Sequence, residues 1–128
     1  MNVINEMKDG DYTGEIIDIT SEITSSGAAK VTWLLRIIGG EHDGACVEKK
    51  YYLKSKGAMG FLKKKLKLIG FEVEDGKELK AKKSQIIGTK ITFTALNNDQ
   101  GYLAFYVKGA VTGVTKKAMP EETETDFW

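Results

Sequence analysis

Residues 30–38, KVTWLLRII, place Val31, Trp33, Leu35 and Ile37 on one unbroken apolar face and Thr32, Leu34, Arg36 and Ile38 on the other. A two-residue period suits a strand with one face on a core, whereas a helix would wind the same residues around all its sides. The run therefore commits the chain to a β-sheet with a dry face and a mixed face that carries Arg36. Upstream, YTGEIIDITSEIT from Tyr12 is rich in β-branched residues and is bounded by Gly10 and by an SSG turn ending at Gly27, which predicts a first strand. Downstream, the turn GGEHDG (39–44) leads into ACVEKKYYLK. There Val47, Lys49, Tyr51 and Leu53 share one parity while Glu48, Lys50, Tyr52 and Lys54 share the other. The short, glycine-rich connection makes the second and third strands a hairpin.

The period then changes. Met59, Leu62, Leu66 and Ile69 recur at helical spacing through GAMGFLKKKLKLIG, and Gly70 is placed to end that helix. After a polar connection containing EDGKELKAKK, the runs IIGTKITFTAL and GYLAFYVKG are joined by the turn-rich NNDQ and form a second hairpin. Ile91, Phe93 and Ala95 on the fourth strand, and Leu103, Phe105 and Val107 on the fifth, mark the core faces. The expected order is β-β-β-α-β-β, an all-β domain with one helix. That arrangement suits the OB-fold, a five-stranded, partly open Greek-key barrel. A half-open β-sandwich capped by a helix would produce nearly the same pattern.

With 128 residues, 41% of them hydrophobic, the chain can bury a core without a metal or disulfide staple. Its single cysteine, Cys46, rules out an internal disulfide framework. The opening MNVINEMKDG lacks the basic-then-apolar pattern of a signal peptide, and no apolar run approaches the ~20 residues of a membrane span. A soluble, cytoplasmic protein with no membrane partner is the expectation. The one proline, Pro120, falls where the globular pattern gives way to an acidic end, which divides a 1–117 domain from a flexible 118–128 tail. Charge follows the same division: the first part holds all 19 Lys and Arg with 14 acids, a net +5, and the tail carries −4. The overall +1 thus conceals a basic body suited to a polyanion and a tail suited to something else.

Catalysis finds little support. His42 is the only histidine, and with Cys46 it supplies too few ligands for a Cys/His zinc site; turn chemistry accounts for it better. There is no G-x-S-x-G, no phosphate-binding glycine loop opening a helix, and no second histidine to serve as a base. The carboxylates are scattered. Neither an enzyme nor a cofactor is expected.

Binding finds more. From Lys49 to Lys67 there are eight lysines and no acid, a concentration that attracts phosphate through counterion release. Lys63, Lys64, Lys65 and Lys67 read first as the solvated outer side of a core helix, with direct contact as the alternative. Lys50 and Lys54 flank Tyr52 on one strand face, the arrangement a stacking platform for single-stranded bases requires. Tyr102, Tyr106 and Lys108 repeat it on the last strand; each tyrosine could equally cover a barrel edge. Arg36 is the candidate contact on the second strand. Trp33 has core parity, and only a bulge in its strand would turn it out to stack. In the tail, Glu121, Glu122, Glu124 and Asp126 precede Phe127 and Trp128. Two large rings beside a terminal carboxylate suit docking into a pocket on another protein.

Several stretches together resemble a family of small phage single-stranded DNA-binding proteins with one OB-fold and an acidic, aromatic-ended tail. They are the opening GDYTGEI, the S-G turn leading to a strand that ends IIGGEHDGACV, the Lys/aromatic third strand, the GTKITF strand and the tail itself. The resemblance spans nearly the whole chain without one sharp motif. It implies sequence-independent protection of single-stranded DNA in phage replication or recombination, in the host cytoplasm. It also implies a tail that recruits polymerases, nucleases, helicases or recombinases and folds back on the basic groove when DNA is absent. The family tail typically finishes in Phe, whereas this chain finishes in Trp128 after Phe127, which leaves the receiving partner open. OB modules assemble variously, so a homo-oligomer is compatible. Two other readings stand beside this one: a protein-interaction adaptor on an OB or sandwich scaffold, and an RNA-binding OB module.

Overall fold

The computed structural model describes residues 2–25 and 27–111. Five strands, β1 (Gly10–Ile23), β2 (Ala29–Ile38), β3 (Cys46–Leu53), β4 (Lys90–Asn97) and β5 (Leu103–Ala110), form one antiparallel sheet. Two helices, α1 (Lys56–Leu68) and α2 (Gly76–Ile86), lie between β3 and β4 in the chain. The spatial order is β3-β2-β1-β4-β5, so the two predicted hairpins flank a central β1.

Strand β1 is long enough to serve both hairpins. It pairs with β2 from Thr13↔Ile38 to Ile23↔Ala29, and with β4 only over Gly10–Glu15. Between Ile16 and Asp18 the β1–β2 register shifts by one residue. This bulge lets Ile16 and Ile19 both face the core, three residues apart, where an unbroken strand would have turned one of them outward. At the same point β1 leaves β4, and the end of α2 takes over its hydrogen bonds: Ile16 N–H donates to Thr89 O at 2.9 Å and Gly88 N–H to Ile16 O at 2.7 Å. Gly88 makes that turn with φ +99°, a left-handed conformation that a side chain would strain.

Helix α1 forms as predicted. Ser55 caps it by accepting from Ala58 N–H at 3.1 Å. Gly70 ends it at φ +101°, with Gly70 N–H on Lys67 O and Phe71 N–H on Leu66 O, a Schellman closure. Leu62 and Leu66 bury against the sheet's dry face, where Trp33, Phe93, Leu35, Ile37 and Ile91 form the centre of the core.

Three expectations require correction. The connection EDGKELKAKK is part of a second helix, so the order is β-β-β-α-α-β-β. Ile86, Ile87 and Gly88 belong to the end of α2 and its exit, and β4 begins at Lys90. The sheet does not close into a barrel, because β3 and β5 are its edges and no ladder joins them among the described residues. The acidic segment 118–128 lies outside the described residues. No helix among those residues is long and apolar enough to cross a membrane.

Candidate nucleic-acid interface

The sheet's outer face is determined by pairing. Opposite residues on it are Glu15↔Arg36, Thr20↔Thr32, Thr32↔Lys50 and Lys30↔Tyr52. The third-strand set therefore comes together as expected: Lys50 and Tyr52 project from β3 on the outer side, with Lys54 immediately beyond the strand end. Tyr52 is 48% exposed, and Lys30 from β2 stands opposite it. Lys54 has no ion-pair partner among the described residues and lies beside the Gly27–Ala29 turn. Among the described residues Lys50 pairs only with Glu48, at 3.8 Å.

The remaining candidates are more heavily engaged. Arg36 donates to Glu15 Oε1 at 2.8 Å, and it sits four residues along β2 from Thr32, roughly 13 Å from the Lys50 level at strand rise. Lys108 lies 3.3 Å from Asp11 Oδ2, while Thr94 Oγ1 donates to Asp11 Oδ1 at 2.6 Å. The Thr94 hydrogen bond, followed by Lys108, holds the Asp11 carboxyl below its ordinary range. Tyr106 stands opposite Thr94 and is 48% exposed. Tyr102, 70% exposed, sits at the tip of the β4–β5 hairpin, where its N–H donates to Asn98 Oδ1. Three residues separate it from Tyr106 along the chain.

Trp33 is 0% exposed and takes no part in any surface. The bulge that would have turned it outward occurs in β1, so β2 keeps its alternation. Its ring packs on Tyr51 with centroids 5.1 Å apart, and neither Trp33 Nε1 nor Tyr51 Oη has a hydrogen-bond partner among the described residues.

Ion pairing sorts the charges of the face. The central strand β1 carries Glu15, Asp18 and Glu22, which pair with Arg36, Lys83 at 3.1 Å and Lys30 at 3.0 Å. The less compensated positive charge thus falls on β3 and on α1, whose first turn contains no acid. Each exposed pair contributes only about 0–1 kcal/mol, so a phosphate could compete for these cations.

Two lysines of the Lys49–Lys67 stretch that were not singled out as base- or strand-face contacts join the surface. Lys49 has core parity, yet its ammonium lies 5.0 Å from the Tyr51 ring centroid and 5.7 Å from that of Tyr106. Lys65 donates to Val107 O at 2.9 Å and lies 5.2 Å from the centre of Phe61. The signal for Lys49 was present in its strand, a lone charge among Val47, Tyr51 and Leu53.

Away from this face, an apolar groove of about 660 Å³ runs between the β1–β2 hairpin and the two helices, with Ile19, Val31, Leu62, Leu66 and Leu79 among its walls. Among the described residues no three potential metal ligands cluster. No protein-family model matches the chain, and no curated protein matches it either.

Proposed function

We propose that this protein binds single-stranded DNA without sequence preference, protects it, and recruits replication or recombination proteins through its acidic tail. The observation that carries the reading is Tyr52, half exposed on an edge strand between Lys50 and Lys54, with little carboxylate compensation nearby. A ring offers every base the same π-face, and the lysines attract phosphates irrespective of sequence. The fold assigned under this proposal is an OB-type barrel left open between β3 and β5. It is supported by the strand order, by a helix inserted between β3 and β4, and by α1 packing on both edge strands. The protein would act as a binding module and not as an enzyme, in the cytoplasm of a phage-infected host, as the family resemblance implies.

The apolar groove favours one second reading, a protein-interaction adaptor, since a 660 Å³ cleft with lysines at its rim suits an acidic peptide with apolar anchors. Fluorescence anisotropy separates the two. Labelled oligo-dT, an equal-length duplex and the matching RNA are titrated at several salt concentrations. The proposal expects preference for the single DNA strand, with affinity falling steeply as salt rises. Absence of binding to any of the three at low salt would refute it and leave the adaptor.

A further inference from the structure

In the sheet order β3 and β5 are four strands apart, a separation of about 19 Å in a flat sheet. The molecule is not flat. Lys49 on β3 reaches to 5.7 Å from the Tyr106 ring on β5, and α1 packs on both strands, so the sheet curls until its two edges face each other across an open seam. The Lys49 contact thus brings β3, which carries Tyr52 and Lys50, to Tyr106 on β5 across that seam. At the seam are two ammonium groups, Lys49 and Lys65, with Tyr51, Phe61 and Tyr106 around them.

We infer that Lys49 and Lys65 form a phosphate site in the seam, where a bound strand passes from the outer face of β3 to that of β5. The inference rests on the nucleic-acid reading for the identity of the strand, but the oxyanion chemistry stands by itself. Neither lysine has an ion-pair partner among the described residues, and the stretch from Lys49 to Lys67 contains no acid. Glu48 is turned to the outer face beside Lys50, and Asp11 is engaged by Thr94 and Lys108. Burial, with the neighbouring Lys65 charge second, lowers the Lys49 pKa from its ordinary value. Two cations held close without a counterion are stabilised by an arriving anion. The rings form the low-dielectric walls that make such an interaction stronger than on open surface. The bland alternative is that both lysines only guard the sheet edges, Lys65 by covering the Val107 carbonyl and Lys49 as an inward-pointing charge.

The test compares wild type, Lys49→Met, Lys65→Met and Lys49→Arg. Methionine keeps most of the apolar stem, arginine keeps the charge, and thermal melts verify folding. Oligo-dT affinity is measured against salt, and separately the lysine side-chain 13Cε resonances are followed by NMR while inorganic pyrophosphate is added without DNA. The site predicts that each methionine variant loses one phosphate contact. The salt slope then falls by about 0.7, and affinity falls about eightfold at roughly 50 mM salt, converging with wild type towards about 1 M. Lys49→Arg should retain the slope, and pyrophosphate should shift Lys49 saturably in wild type. An unchanged slope in a folded Lys49→Met variant that still binds DNA would overturn the seam site while leaving the DNA reading intact. A protein that ignores oligo-dT yet binds pyrophosphate saturably at Lys49 would refute the DNA reading and keep the oxyanion site. Failure of Lys49 to respond to pyrophosphate while exposed lysines do respond would overturn it as well.

Discussion

Replacing Tyr52 by alanine isolates the stacking contribution from the electrostatic one. The ring is 48% exposed and lies in register with Lys30, whose ammonium is already held by Glu22 at 3.0 Å. About half of its surface is already covered, which leaves room for one base. Stacking of a base on an aromatic side chain contributes about 1–3 kcal/mol. For a half-exposed ring on an edge strand the lower part of that range, about 1–2 kcal/mol, is the appropriate expectation. That corresponds to a loss of about 5- to 30-fold in affinity for oligo-dT. No charge is removed, so the slope of log affinity against log salt should match wild type. Lys54→Met provides the contrast: its slope should fall by about 0.7. The assay is anisotropy across a salt series, with thermal melts beside it; both variants should melt within about 0.5 kcal/mol of wild type, since neither side chain supports the core. A change of less than about twofold on Tyr52→Ala, in a protein that melts normally, would refute the platform argument.

Three further outcomes are expected. Gly14→Ala should destabilise the fold by about 1–3 kcal/mol in a denaturant titration, because a Cβ there would stand 3.0 Å from Phe93 Cε1 and 3.4 Å from the Arg36 carbonyl oxygen; an unchanged midpoint would show that Phe93 yields freely. Asp75→Ala removes the cap on α2, which accepts from Glu78 N–H at 2.9 Å, and should cost about 1 kcal/mol in the same titration; no loss would indicate that α2 is held by packing alone. Tyr51→Phe should be neutral or stabilising by about 1 kcal/mol at neutral pH, since the buried hydroxyl lacks a partner among the described residues. Burial raises the Tyr51 pKa above its ordinary 10.0, so the unfolded chain releases the proton first and wild-type stability should decline as pH rises above about 10. Melts of Tyr51→Phe should show a shallower alkaline decline, and identical pH profiles would contradict the assignment.

The strands were legible because each carries its alternation openly. KVTWLLRII, with four odd-numbered apolar residues, admits no other element, and Gly70 marked where α1 stops. Helix α2 was hidden because only Leu79 and Ile86 bury from it, a full seven residues apart, which leaves no continuous apolar stripe to detect. Its one written signal was the cap, Asp75 followed three residues later by Glu78, and the Ile86–Ile87 pair beyond it has the composition of a strand start. The site divided along similar lines. Parity correctly placed Lys50, Tyr52, Tyr106 and Lys108 on the outer face and Trp33 inside. Parity could not reveal that Arg36 and Lys108 face the carboxylates of Glu15 and Asp11, because those contacts depend on register between strands distant in sequence. Nor could it reveal the seam, since Lys49 meets Tyr106 only once the sheet has curled.

Photocross-linking with a 5-iododeoxyuridine-substituted oligo-dT, followed by peptide mapping, tests the central claim most directly because it reports which side chains touch bases. The account expects cross-links at Tyr52 and Tyr106, competed by unlabelled single strand and by salt but not by duplex. Cross-links confined to the groove between the helices and the β1–β2 hairpin, or a yield that duplex competes equally well, would contradict it.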